Sequence, residues 1–148
     1  MRIARIIAAY VAAALVTFVA ASAFYTQQIL SAQHAIGIEF TSAQQAETYL
    51  MNLAGLAPAY GAVLSIALLI GFVVAAGVKR VLKPLAPVAY PVAGAAAVWT
   101  AIYLIETVMA SGGAAAIGGA RTSLGLALQC FAGALGGAVF ALLSRPRK

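Results

Sequence analysis

Three polar residues stand within or beside long apolar stretches of this sequence, where their side chains could do chemistry. Glu106 is the only acid inside such a stretch, and a carboxylate in a low-dielectric site could carry protons or bind a cation. Arg121 opens the next stretch and could form an ion pair with Glu106 that is structural rather than functional. Gln129 lies in the middle of that stretch, where its amide needs hydrogen-bond partners in a neighbouring helix or a wet cavity.

Other chemistries lack the residues that they need. The sequence has no aspartate for a Ser-His-Asp set, and one histidine, His34, with one cysteine, Cys130, cannot build a two-histidine haem site or a thiolate metal cage. The run from Gly113 to Gly118 resembles the start of a phosphate-binding loop, but Gly119 and Ala120 stand where a lysine and a hydroxyl residue are required. We therefore expect no catalytic residue, no cofactor and no metal, and a protein that is not an enzyme.

Four long apolar stretches must position the polar residues. They run roughly from Ile6 to Tyr25, Leu56 to Val78, Val88 to Met109 and Leu124 to Leu143. Each has about the 20 residues that span a hydrocarbon core of about 30 Å. The chain is 64% hydrophobic and 8% charged, and a soluble domain of 148 residues could not bury that much apolar surface in one core. The sequence predicts an all-α membrane protein: a single integral domain, residues 1–148, folded as a four-transmembrane-helix bundle in the lipid bilayer.

The basic residues mark one side of this predicted bundle. Eight of the nine basic residues lie on this side: Arg2, Arg5, Lys79, Arg80, Lys83, Arg145, Arg147 and Lys148. The ninth, Arg121, falls on the other side with His34, Glu39 and Glu47. Lys and Arg that flank membrane helices stay in the cytoplasm, so we expect both termini there and the connections at about 26–55 and 110–120 outside. Because the net charge of +6 sits at membrane edges, we expect no nucleic-acid partner.

The sequence also bears on localisation. Frequent Ala, Gly and Arg are typical of a GC-rich bacterial genome, which together with the four stretches favours a bacterial inner (plasma) membrane. Two basic residues, an apolar run and the motif Ala21-Ser22-Ala23 resemble a cleavable signal peptide. The apolar run of about 18–20 residues exceeds the roughly 7–15 of a usual signal peptide, so a retained first helix is favoured over cleavage.

The outer segment, residues 26–55, is the only sizeable polar part of the chain. Ser42 with Gln45, or Thr41 with Gln44, forms a capping-box pattern that predicts a helix over about Ala43–Leu53. This short helix could lie on the outer membrane surface before the second span. Alternatively, it could be an extension of the second helix above the membrane.

A stripe of small residues runs along the fourth apolar stretch. Arg121, Gly125, Gln129, Gly133 and Gly137 recur every four residues, Gly133 to Gly137 is a GxxxG motif, and Gly136 widens the same face. Such a stripe allows a close helix crossing. The crossing could be a packing seam within the chain, which we favour, or a seam with another copy or a partner subunit.

Two functions remain compatible with these features. The leading hypothesis is an accessory or assembly subunit that binds a larger membrane complex, or another copy of itself, through small-residue helix faces. The alternative is a small transporter or channel protomer that uses Glu106, Arg121 and Gln129. An enzyme acting on lipids comes third, since only the outer segment could hold its site.

Overall fold

The structure, a computed structural model, describes residues 2–81, 88–109 and 122–145. Within these ranges it is all-helical and has no strand. The helices are α1 (Arg2–Ala35), α2 (Ser42–Leu56), α3 (Ala62–Val81), α4 (Ala89–Met109) and α5 (Ser123–Ser144), with a π-helical turn (Ala57–Gly61) between α2 and α3. Among the described residues, four helical segments are long and apolar enough to span a membrane, which confirms the predicted all-helical class and the predicted number of such helices.

Helix α1 continues well past its predicted end at Tyr25. Its 34 residues extend about 51 Å, about 20 Å more than a hydrocarbon core. The helix ends in a Schellman motif: the Ile38 N–H donates to the Gln33 carbonyl (3.1 Å) and the Gly37 N–H to the His34 carbonyl (3.0 Å). Gly37 has φ +85°, a left-handed conformation that glycine adopts without a Cβ penalty. The predicted polar connection is therefore helical in its first part.

Helix α2 begins at the predicted capping box. The Thr41 side chain accepts from the Gln44 N–H, and the Gln44 carboxamide oxygen accepts from the Thr41 N–H at 2.9 Å. Because a short turn separates α1 from this cap, α2 folds back beside the end of α1. We call residues 26–56, which comprise the end of α1, the turn and α2, the outer hairpin.

The outer hairpin leads into α3 without a break in the helix. Pro58 lies in the π-helical turn, which joins α2 and α3 into a helical segment from Ser42 to Val81. Proline has no N–H and its ring crowds the carbonyl of the preceding turn, and a wide turn relieves that conflict. Of the two placements predicted for this helix, the structure has the extension of the second helix.

Helix α5 lies between α1 and α4 and contacts both extensively. Its buried face is made mostly of small residues, with two large exceptions, Gln129 and Phe140. In α1, the residues at four-residue spacing, Ala9, Ala13, Thr17 and Ala21, are all buried. In α4, Val98 and Ile102 are buried. Small side chains on facing helices let the backbones approach closely, which is the packing mode expected where lipid removes the hydrophobic driving force.

Helix α3 completes the bundle by packing on α4. A Cβ placed on Gly71 would lie 3.0 Å from the Ala97 Cβ and 3.1 Å from the Ala93 carbonyl oxygen, so these helices also pack closely. Helices α1 and α3 meet directly over a much smaller area. One hydrogen bond between them runs from the Tyr10 hydroxyl to the Ser65 carbonyl oxygen, 2.7 Å away. The bundle is thus closed tightly on three sides and loosely on the fourth.

Candidate functional site

The amide of Gln129 ties three parts of the chain together. Its side chain is completely buried. Its Oε1 accepts a hydrogen bond from the Tyr60 hydroxyl at 2.8 Å, and its Nε2 donates to the Ala21 carbonyl oxygen at 3.0 Å. The amide therefore joins α5 to α1 and to the π-helical turn, and both of its polar atoms are engaged within the chain.

Local structure explains how the partners of Gln129 are positioned. Thr122 caps α5 by accepting from the Gly125 N–H at 2.9 Å, which starts the helix about two turns before the amide. Tyr60 lies in the π-helical turn, two residues after Pro58, and is 5% exposed. A π-helical turn changes the angular position of the residues that follow it, so it sets the face from which Tyr60 meets α5.

The predicted GxxxG motif of α5 faces α4. A Cβ on Gly133 would lie 2.7 Å from the Val98 Cγ2 and would overlap the Gly94 carbonyl oxygen. A Cβ on Gly137 would overlap the Tyr90 carbonyl oxygen. Both glycines therefore sit where α5 touches the backbone of α4, and neither position has room for a larger residue.

The other small residues of the stripe lie on different surfaces. Gly136 faces α1, where a Cβ would overlap the Thr17 hydroxyl and lie 2.8 Å from the Ala13 carbonyl oxygen. Gly125 is buried in the first turn of α5. Since Gly136 and the GxxxG motif meet different helices, α5 has two close-packing surfaces rather than one.

A second set of hydrogen bonds holds the outer hairpin together. The Asn52 Nδ2 donates to the Thr26 Oγ1 at 3.1 Å, and Thr26 in turn donates to the Ser22 carbonyl oxygen at 2.9 Å. The Tyr49 hydroxyl donates to the Gln27 Oε1 at 2.6 Å. The bonds from Asn52 and Tyr49 join α2 to α1 outside the predicted spans, so the hairpin is a built element and not a loose loop.

The three polar candidates of the sequence analysis have different surroundings. Gln129 is held by Tyr60 and Ala21, as described above. Glu106 is half-buried in the last turn of α4. Arg121 lies outside the described residues, so the predicted pair of Glu106 with Arg121 stays a prediction.

Several buried polar residues were not singled out from the sequence. Tyr60 is the clearest case, and a tyrosine inside an apolar stretch two residues after a proline was the available signal. The hydroxyl oxygens of Thr17 and Ser22 are buried and have no hydrogen-bond partner among the described residues.

Within residues 2–81, 88–109 and 122–145, no three His, Cys, Asp or Glu side chains come together in a group that could hold a metal ion. Cys130 is a free, half-buried thiol in α5.

Comparison with known proteins identifies no family for this chain. No protein-family model, curated protein or solved structure matches this chain.

Proposed function

We propose that this chain is a non-enzymatic multi-pass protein of a bacterial inner membrane that serves as an accessory or assembly subunit of a larger membrane complex. The observation that carries the proposal is the engagement of Gln129 by Tyr60 and Ala21. A transporter needs polar groups in its interior that are free to meet a solute. Here the buried amide joins helices to one another, which favours a protein that binds partners with its outer surfaces.

The charge distribution supports an orientation for this proposal. Arg5 at the start of α1, Lys79 and Arg80 at the end of α3, and Arg145 after α5 lie at one end of the bundle. The outer hairpin lies at the opposite end. By the positive-inside rule, the basic end faces the cytoplasm together with both termini, and the hairpin projects from the other face of the membrane.

The surface proposed for partner binding is the outer hairpin. The small-residue faces of α5 are occupied by α1 and α4, so a partner must meet another part of the chain. Helix α2 has no buried residue, and its Leu50 and Met51 are 68% and 67% exposed. These side chains lie beyond the second predicted span, where adjacent exposed apolar residues favour a protein contact. The partner is a second membrane protein that contributes apolar surface at this level.

The test is native mass spectrometry of the tagged chain after gentle extraction at its natural abundance. We expect a foreign subunit in stoichiometric amount. The double variant Leu50→Ser with Met51→Ser should lose it, because the apolar contact is removed. The matched control exchanges the two residues, Leu50→Met with Met51→Leu, and should keep the subunit since the apolar area is unchanged.

Each outcome of this test decides part of the proposal. A monomer or a homo-oligomer without a foreign subunit would overturn the accessory role. A foreign subunit that both double variants retain would leave the accessory role standing and remove the hairpin as its contact surface.

One observation favours a second candidate function, a small transporter or channel protomer. The hydroxyls of Thr17 and Ser22 are buried and unpartnered among the described residues, and the Ala21 carbonyl that accepts from Gln129 lies between them in sequence. Unpaired buried hydroxyls could bind water or a permeating solute. Purified chain in liposomes should then move a solute, and Thr17→Val or Glu106→Gln should change that flux; absence of flux would exclude this function.

A further inference from the structure

A cavity of about 560 Å³ opens between α1 and α3 at the basic end of the bundle. Ligand cavities in proteins commonly measure about 300–1,000 Å³, so this one can hold a sizeable molecule. Tyr10 lines its inner part, where the hydrogen bond to the Ser65 carbonyl draws α1 and α3 together. Between that bond and the basic end, the cavity separates the two helices.

The walls of the cavity are apolar and aromatic. Ile6 and Ile7 line it from α1, and Leu69, Val73 and Ala76 line it from α3. Three rings from α3, α4 and α5 form its inner wall. Phe72 stacks on Phe140 with ring centroids 4.6 Å apart, and Tyr90 meets Phe140 edge-on at 4.8 Å. This surface would suit a hydrocarbon chain better than water.

Four cations surround the end of the cavity: Arg5 from α1, Lys79 and Arg80 from α3, and Arg145 just after α5. None of the three glutamates of the chain lines it. The Arg5 Nε has no hydrogen-bond partner among the described residues, and the Lys79 Nζ lies 5.0 Å from the centre of the Tyr90 ring. Like charges gathered with no carboxylate among the described residues repel one another, so an anion at this position would be stabilised by all of them.

We propose that an anionic phospholipid occupies this cavity, with its phosphate among Arg5, Lys79 and Arg145 and an acyl chain between α1 and α3. An apolar wall that ends in a ring of cations matches an anionic amphiphile. A small water-soluble anion would gain nothing from the apolar wall. A zwitterionic lipid would bring its own cation towards four others, which disfavours it.

The dimensions of the cavity fit this occupant. From Leu69 to Arg80 the rise along α3 is about 16 Å, roughly half of the hydrocarbon core and hence about the depth of one leaflet. The lipid fills the loosely closed side of the bundle, between α1 and α3. Its role is to bridge these two helices, and this inference stands whether or not the chain is an accessory subunit.

The experiment uses the purified full chain, freed of native lipid by detergent exchange and mixed with equal amounts of dioleoyl phosphatidylglycerol and dioleoyl phosphatidylcholine. Native mass spectrometry then counts the lipids retained. We expect one phosphatidylglycerol per chain in clear preference to phosphatidylcholine. Arg5→Gln, Lys79→Gln and Arg145→Gln should each lower that preference about five-fold. The charge-retaining variants Arg5→Lys, Lys79→Arg and Arg145→Lys should keep most of it.

The acyl-chain part of the proposal has its own matched pair of variants. Val73 and Val74 are neighbours in α3 and are similarly exposed, at 66% and 59%, but only Val73 lines the cavity. Val73→Trp should block the cavity and reduce retention of phosphatidylglycerol, whereas Val74→Trp should not. Equal retention of the two lipids by the unmodified chain, or equal retention by the two tryptophan variants, would overturn the proposal. Displacement of the lipid by inorganic phosphate would also overturn it.

Discussion

The Tyr60 hydroxyl lies 2.8 Å from the Oε1 of Gln129, although the two residues are 69 positions apart in the chain. One partner stands in the π-helical turn and the other in the buried face of α5. The bond connects the helical segment from Ser42 to Val81, which begins in the outer hairpin, to the centre of the bundle. It also occupies the amide oxygen of Gln129, a polar group that transport through this amide would need to keep free.

The bond between Tyr60 and Gln129 should be measurable as a coupling energy. Tyr60→Phe leaves the buried Gln129 oxygen without its donor, which should lower the free energy of unfolding by about 1–3 kcal/mol. Gln129→Met should have a similar effect. The double variant should lose less than the sum of the two single variants, because no unpaired amide oxygen remains. Unfolding in mixed detergent micelles gives the three values, and strict additivity would show that the bond contributes nothing.

The glycines of α5 should be intolerant of even one methyl group. Gly133→Ala, Gly136→Ala and Gly137→Ala each place a Cβ against a facing helix, and we expect losses of about 1–3 kcal/mol or more in unfolding free energy. Gly77→Ala is the control, because nothing lies within 4 Å of its Cβ position. That change should be neutral or stabilising by up to about 1 kcal/mol, the helix propensity difference between the two residues.

The same glycine variants separate the two interpretations of the seam. If the stripe is a packing seam within the chain, the α5 variants should lower thermal stability in a dilute detergent solution at every protein concentration. A loss of oligomer with unchanged thermal stability would instead assign the seam to contacts between chains. Analytical ultracentrifugation beside thermal unfolding distinguishes these results.

The turn of the outer hairpin should depend on Gly37. Gly37→Ala forces a side chain into a left-handed conformation and should cost about 1 kcal/mol, chiefly by loosening the end of α1. Limited proteolysis of the hairpin should become faster. Gly55→Ala serves as the control, since its Cβ position is open and its φ is ordinary, and it should not accelerate cleavage.

The proposed orientation can be tested with single cysteines. Cys130→Ala removes the only cysteine of the chain. On this background, Ser42→Cys in the hairpin should react with a membrane-impermeant maleimide in intact cells, because the hairpin is expected outside. Ser144→Cys near the basic end should react only after the inner membrane is permeabilised. The reverse pattern would contradict the orientation.

Local features of the chain were largely accessible from sequence. Thr41 and Gln44 lie three positions apart, so a capping box between them depends only on local geometry. The end of the first helix was harder to locate, because hydropathy falls near Tyr25 while the helix continues to Ala35. Apolar content reports the thickness of a bilayer, whereas a helix ends where its backbone is capped, here at Gly37.

Contacts between helices could not be assigned in the same way. Small residues at four-residue spacing occur in more than one helix, and any pair of such faces satisfies the sequence pattern equally well. Only the rotation of α5 decides that Gly133 meets α4 while Gly136 meets α1. The concentration of basic residues at one end was visible in the sequence, but the cavity whose end four of them surround was not.

The sequence by itself determined the helices that are long and apolar enough to cross a membrane, the capping signals of α2 and the concentration of cations at one end. These properties follow from residue types along single stretches of the chain and do not depend on how the helices pack. The tertiary structure alone decided that Gln129 would meet Tyr60 and Ala21, and that α1 and α3 would leave a cavity. Those outcomes depend on how each helix rotates and crosses its neighbours, and the packing of the whole bundle fixes both.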